Sequence, residues 1–133
     1  MRLKVIYHLT HDSIFVGHDG PTHNDSTAQA IWLANKLINL RIFEDDQGKI
    51  NQSLIERKGS ALIISQFTLY ADCSDGRRPS FTQAAPPETA KPLYEQFVKE
   101  VHQGGIHVET GIFAAEMKVS LLNDGPVTLL LER

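Results

Sequence analysis

The sequence has little of what several common protein classes require. It contains one cysteine, Cys73, among 133 residues, which excludes a disulfide framework within the chain and a multi-cysteine zinc or iron–sulfur site. No apolar run approaches the roughly 20 residues that cross a bilayer. The first residues show no signal-peptide pattern. We therefore expect a cytoplasmic protein with no membrane partner.

The chain also lacks an excess of positive charge. It has 13 Lys and Arg against 16 Asp and Glu, for a net charge of -3. Proteins that bind nucleic-acid duplexes in general are usually basic, so that class is disfavoured, whereas a protein that touches one end of a nucleic acid remains open. The length predicts a single domain over residues 1–133, large enough to bury a core without disulfides or metal.

Two segments predict the main helices. Ser26 and Gln29 have the spacing of a capping box, and apolar residues recur after them, which predicts a helix over 27–39. A second helix is predicted from the prolines at 86–87, where a missing amide costs nothing, to the glycines at 104–105.

The remaining apolar segments predict a sheet. The longest run, ALIISQFTLY at 61–70, is typical of a buried central strand. Other strands are predicted over 2–9, 13–16, 41–43, 50–54, 106–110, 117–122 and 127–131. The fold class expected is a compact α/β domain with a mostly antiparallel sheet and two main helices. Residues 1–25 form an atypical N-terminal segment, because 11–24 is rich in His, Asp, Gly and Pro.

Polar residues interrupt the predicted central strand. Ser65, Gln66 and Thr68 need hydrogen-bond partners if they are buried, or each destabilises the fold by about 1–3 kcal/mol. Either they bond to neighbouring backbone, or the strand ends in a ligand pocket. Ser65, Thr68 and Cys73 are the candidate nucleophiles, but no GxSxG motif and no evident base accompany them. The sequence does not establish a catalytic triad.

The segment NDGPVT at 123–128 predicts a turn between two strands. Proline makes a cis bond accessible at Gly125–Pro126, and glycine before it removes side-chain obstruction. A cis peptide here would point two backbone carbonyls in the same direction. The turn would then present a rigid surface made of main chain alone.

Two groups of basic residues have open interpretations. Arg77 and Arg78 either clamp phosphates or lie solvated in an exposed loop. The spacing of His8, His11, His18 and His23 does not match a zinc site, and Gly and Pro intervene. We expect neither a metal nor a cofactor.

Several segments together resemble one family, in the family's own order over residues 27–133. They are 33–43, SQFTLY at 65–70, 76–81, 84–87, 93–94 and 119–128. The chain resembles the D-aminoacyl-tRNA deacylases, which hydrolyse the ester joining D-amino acids, or glycine, to tRNA. SQFTLY and NDGPVT are specific as a pair, and either alone is a weak signal.

The resemblance implies an ester hydrolase that proofreads chirality during tRNA editing. The family fold is a compact α/β homodimer, with the active site at the dimer interface. The Gly125–Pro126 peptide is implied to be cis and to project into the partner's pocket. Its carbonyls leave no room for the side chain of an L-amino acid. The partner molecule would be the 3′ aminoacyl end of tRNA.

The resemblance also implies roles for individual residues. Ser65 and the backbone of Phe67 would lie near the scissile ester, where donors stabilise an oxyanion. Thr68 has been considered a nucleophile in the family, but the 2′-hydroxyl of the terminal ribose is the preferred assistant here, since no base is visible beside Thr68. The other implied substrate-binding residues are Gln66, Met117, Asn123, Gly125, Pro126, Val127 and Thr128. Arg77 and Arg78 would contact tRNA.

The sequence departs from the family pattern at two glycines and at the N-terminus. Ala114 and Ala71 stand where the family has glycine, and each would destabilise the fold by about 1 kcal/mol if its φ is positive. Tyr7 stands where the family has an arginine that supports the Gly–Pro loop. Residues 4–23 instead resemble a short stretch of transketolase.

In transketolase the counterparts of His11, Asp19 and His23 contact a sugar, but nothing here resembles that enzyme's diphosphate- and Mg-binding motif. The sequence therefore predicts a hybrid N-terminus on a deacylase body. The alternative hypothesis is a catalytically impaired dimeric domain that binds aminoacyl-tRNA ends, because the N-terminal strands have been replaced.

Overall fold

The computed structural model describes residues 4–10 as backbone, and residues 12–18, 25–125 and 127–133 in full. The helices are α1 (Thr27–Asn39), α2 (Leu54–Arg57) and α3 (Pro87–Gln103), with a 3₁₀ turn at Phe67–Tyr70. The strands are β1 (Lys4–Thr10), β2 (Ser13–His18), β3 (Arg41–Glu44), β4 (Ile50–Ser53), β5 (Ser60–Ser65), β6 (His107–Thr110) and β7 (Thr128–Glu132). The roles predicted for His11, Asp19, His23 and Pro126 lie outside the described residues.

The two long helices form where the sequence predicts them. The side chain of Gln29 accepts a hydrogen bond from the Ser26 backbone amide at 2.7 Å, which fixes the start of α1. Gly105, with φ of +90°, follows the end of α3 and turns the chain away from the helix. The apolar stripes of α1 and α3 pack against each other and the sheet. Their buried side chains are Leu33, Leu37, Ile38, Tyr94, Phe97 and Val101.

The main sheet has five strands in the order β6-β5-β2-β1-β7. β1 pairs antiparallel with both β2 and β7, whereas β5 pairs parallel with both β2 and β6. β3 and β4 form a separate antiparallel hairpin. The predicted α/β class is confirmed. The sheets are mixed, with three antiparallel and two parallel pairings among the strands described.

Two predicted strands differ in the structure. The run 61–70 leaves the sheet after Ser65, the last residue of β5, and the Gln66 amide donates to the His18 carbonyl at 2.7 Å. The segment 117–122 is not a strand, since it pairs with no other strand of the described chain and most of it is exposed.

None of the described helices is long and apolar enough to cross a membrane.

One polar side chain lies deep in the core. His18, at the end of β2, is fully buried, with ring centroids 4.6 Å from Phe97 and 5.5 Å from Tyr94. Neither ring nitrogen has a hydrogen-bond partner in the part of the chain that the structure describes. Burial lowers the pKa of His18 from 6.5 to about 3, because the charged form is poorly solvated there.

We predict that the protein loses stability in mild acid through His18. The unfolded chain binds a proton on this residue below about pH 6.5 and the folded chain does not, so stability falls as pH drops from 7 to 5, by about 2 kcal/mol. Urea unfolding at both pH values measures this loss.

A His18→Leu variant should show a smaller loss, and His102→Gln, at an exposed helix position, should keep the full loss. Equal pH dependence in wild type and His18→Leu would contradict this account of the core.

Candidate active site

The end of β5 brings together the first predicted site residues. Ser65 is half-buried, and its hydroxyl oxygen accepts a hydrogen bond from the Ala114 amide at 3.4 Å. Because the oxygen accepts this bond, the Ser65 proton is available to a substrate. The register places Ser65 beside His18, the last residue of β2.

The 3₁₀ turn Phe67–Tyr70 follows immediately. Its first amides, those of Phe67 and Thr68, have no acceptor among the described residues, as is normal for the first turn of a helix. Phe67 is 57% exposed, and its ring packs against Phe81 at 5.4 Å. The strand end therefore carries two backbone donors without an acceptor among the described residues, next to the half-buried hydroxyl of Ser65.

Thr68 has a hydrogen-bond donor beside it rather than a base. The Gln66 side-chain amide donates to the Thr68 hydroxyl oxygen. Thr68 is exposed, and no histidine or carboxylate contacts its hydroxyl in the described part of the chain. This arrangement does not activate Thr68 as a nucleophile.

The segment after β6 forms the second side of the site. Tyr94 on α3 donates to the Ile63 carbonyl at 2.9 Å, and its ring contacts Phe113 at 5.6 Å. A Cβ at Gly111 would lie 2.5 Å from the Met117 sulfur and 2.9 Å from Ile64. The Met117 and Ile64 side chains therefore pack closely over Gly111, and both would have to shift to admit a Cβ there.

Ala114 has a strained backbone. Its φ is +59°, in the left-handed region that favours glycine, whereas Ala71 has φ of -60° and no strain. Of the two positions where alanine replaces the family's glycine, only Ala114 carries the predicted penalty. Strain at a residue that binds Ser65 is typical of a functional site.

The loop 123–128 lies elsewhere in the chain. The Asn123 side chain donates to the Thr128 hydroxyl at 3.2 Å, and Gly125 between them is exposed with φ of +137°. The loop borders a cavity of about 390 Å³, which none of Ser65–Thr68 lines. The cavity is lined by Ile42, Phe43, Glu44, Ile50, Arg57, Asp124, Gly125 and Val127. The cavity beside this loop therefore does not include the end of β5.

Arg77 and Arg78 lie on an exposed turn that is closed by the backbone pairing of Asp72 with Ser80. Neither arginine forms an ion pair with any described residue. Their guanidinium groups are therefore available to an anionic ligand. No cluster of three or more His, Cys, Asp or Glu among the described side chains could hold a metal ion.

The sequence did not point to three residues that shape this site. They are His18, Tyr94 and Phe81. Each lies in a segment that the sequence analysis considered without giving that residue a role in the site. Contacts with residues distant in sequence place each of them near the end of β5. The alanine at position 114, where the family has glycine, was the signal in the sequence for the strained backbone at that residue.

Comparison with known proteins identifies the family. The family model described as D-Tyr-tRNA(Tyr) deacylase matches residues 14–132. The chain belongs to this family. Proteins named D-aminoacyl-tRNA deacylase are similar to it. That of Geotalea uraniireducens is 61% identical over 85% of this chain and 73% of its own length. The protein of that name from Thermus aquaticus is 53% identical over 91% of this chain and 80% of its own length.

Two solved structures share this fold. A structure titled c-Myc DNA Unwinding Element Binding Protein has a TM-score of 0.86 at 29% identity, covering 100% of this chain and 99% of that one. A probable eukaryotic D-amino acid tRNA deacylase has a TM-score of 0.78 at 16% identity over the whole of both chains, which supports the fold. As in its relatives, the enzyme class expected is an ester hydrolase.

We predict that Ala114→Gly stabilises the protein. Relief of the left-handed strain outweighs the greater freedom of glycine in the unfolded chain, for a gain of about 0.5–1 kcal/mol. Chemical denaturation measures the change. Ala115→Gly is the matched control and should destabilise, because its φ is not in the left-handed region. A loss of stability in Ala114→Gly equal to that of the control would refute this interpretation.

Proposed function

We propose that this protein hydrolyses the ester joining a D-amino acid to the 3′ end of tRNA and releases the free D-amino acid and tRNA. The observation that carries the proposal is the cluster at the end of β5, where the half-buried Ser65 hydroxyl is followed by two amides without an acceptor among the described residues. The similar bacterial proteins named D-aminoacyl-tRNA deacylase support this substrate class. Aminoacyl-tRNA also argues for a cytoplasmic location.

The backbone of the 3₁₀ turn is the catalytic group in this proposal. As water, assisted by the ribose 2′-hydroxyl, attacks the ester carbonyl, the amide of Phe67 and the Ser65 hydroxyl stabilise the oxyanion. The C–O bond to ribose then breaks, and the leaving oxygen takes up a proton. Thr68 and Gln66 line the site without supplying a base.

A homodimer completes the site in this proposal. An apolar surface is exposed along the 112–122 segment and the edge strand β7, and such surfaces mark protein interfaces. Its exposed members are Ile112, Val119, Leu121, Leu122, Leu129 and Leu130. A second copy that covers this surface would carry its own Gly125–Pro126 loop towards the pocket at Ser65.

Chiral selection then follows from shape. A cis Gly125–Pro126 peptide from the partner would occupy the space that an L side chain needs, and Met117 would lie at the amino end of the substrate. Glycine has no side chain to exclude, so glycyl-tRNA is a further substrate in this proposal. Arg77 and Arg78 are available to phosphates of the same tRNA.

The alternative of a catalytically impaired tRNA-end-binding domain rests on a missing arginine and on replaced N-terminal strands, and the strand pairing bears on the second of these grounds. β1 and β2 pair over six residues, and β1 also pairs with β7, so the unusual N-terminus still supplies two strands to the sheet. Binding of D-aminoacyl-tRNA without turnover would favour this alternative.

The proposal predicts selective hydrolysis of D-tyrosyl-tRNA, with L-tyrosyl-tRNA hydrolysed at the buffer rate. Gly125→Ala should lower the D rate by about 100-fold, because the added Cβ is strained at φ of +137° and meets the Val127 amide at 3.0 Å. Release of labelled tyrosine from each tRNA measures both rates.

Gly48→Ala is the matched control. Gly48 also has positive φ, but a Cβ there meets nothing within 4 Å. Equal rates on both tRNAs, or none above buffer, would remove the proposed activity. Equal losses in the two glycine variants would remove the specific role of Gly125.

A second prediction separates the two views of Thr68. Thr68→Ala should keep at least about one third of the activity, because its hydroxyl has no base beside it. Ser65→Ala should lose about 100-fold, as is typical when an oxyanion donor is removed. Single-turnover rates on D-tyrosyl-tRNA measure both variants. A loss in Thr68→Ala as large as that in Ser65→Ala would show that Thr68 acts in the chemistry.

A further inference from the structure

A groove of about 450 Å³ runs between α3 and β6, outside the residues predicted to form the site. Its floor is apolar and contains Val98 and Val108. Lys91, Lys99 and His102 line its α3 side at spacings of eight and three residues, which places them on one face of the helix. No residue of this groove was predicted to bind a ligand.

One end of the groove adjoins the candidate active site. Tyr94 and Phe113 line it, and their rings lie 5.6 Å apart. The next residue, Ala114, donates its amide to Ser65. The groove therefore reaches to within one residue of the backbone amide that contacts Ser65.

The charge of the groove favours an extended anion. Lys99 forms no ion pair with any residue the structure describes. Lys91 contacts Glu95 at 3.6 Å, but both side chains are more than half exposed, so this pair is weak and easily exchanged for a phosphate. The two lysines lie about 12 Å apart along the helix axis, too far apart to hold one small anion jointly. Glu95 also lines the groove, so two lysines stand against one carboxylate there, whereas the whole chain has a net charge of -3.

We propose that the groove between α3 and β6 binds the phosphate backbone of the acceptor end of tRNA, with Lys91 and Lys99 contacting separate phosphates. The inference rests on the proposed function for its choice of partner. It assigns the lysines to binding and not to the ester chemistry at Ser65. Removing them should weaken binding of whole tRNA and leave hydrolysis of a short ester unchanged.

The test compares the full chain with Lys91→Gln/Lys99→Gln. The variant keeps side-chain length and removes two charges. Binding of uncharged tRNA is measured by fluorescence anisotropy over a salt series. Loss of two phosphate contacts should weaken binding roughly 25-fold at about 0.1 M salt and reduce the slope of log Kd against log salt by about 1.4.

Lys36→Gln/Lys49→Gln is the matched control, because it removes the same charge from exposed positions outside the groove. An unchanged salt slope in the groove variant, an equal loss in the control, or no measurable tRNA binding by the wild type would overturn the proposal.

A second measurement separates this inference from the proposed activity. Hydrolysis of D-tyrosyl-adenosine, which has no acceptor stem, should be the same in wild type and the groove variant. An equal loss on this short ester would overturn the groove assignment, since it would place the lysines in the chemistry. If no D-aminoacyl ester is hydrolysed at all, the proposed activity fails, and the tRNA-binding arm still decides the groove.

Discussion

The parallel pairing of β2 with β5 is the constraint on which the site depends. The two strands run together for six residues and stop at His18 and Ser65. After Ser65 the chain turns into the 3₁₀ segment, and the amides of Phe67 and Thr68 have no acceptor among the described residues. The core packs beneath this point, where His18 contacts Tyr94 and Phe97. The proposed mechanism uses the backbone donors at this strand end.

The second specific motif, the loop around Gly125, borders a different part of the chain. The loop around Gly125 borders a cavity against β3 and β4, whereas the Ser65 hydroxyl bonds to Ala114. Apolar side chains are exposed in the single copy, including Leu122 at 80% exposure. In the proposed dimer, a second copy both buries such side chains and supplies the loop. Dimerisation and chiral selectivity would then depend on the same contact.

Local signals in the sequence predicted a large part of the fold. The capping box at Ser26 and the apolar stripe after it gave the bounds of α1, since these depend on neighbours a few residues apart. The end of β5 could not be predicted from the sequence. The run of mostly apolar residues continues to Tyr70, whereas pairing with the neighbouring strand ends at Ser65. The segment 117–122 was predicted as a strand for its apolar content, but those side chains are exposed. The sequence predicted a loss of stability at Ala114 if its φ is positive, and the structure gives that φ. The hydrogen bond from Ala114 to Ser65 joins residues 49 positions apart and could not be predicted from the sequence.

A complementation assay tests the central claim most directly, namely that each pocket is completed by the loop of a second copy. Chains carrying Ser65→Ala and chains carrying Gly125→Ala are unfolded together, refolded as a mixture and assayed on D-tyrosyl-tRNA. Random pairing makes half of the dimers mixed, and each mixed dimer has one intact pocket facing one intact loop, so about one quarter of wild-type activity should return. Activity no greater than the mean of the two separate variants would contradict the account.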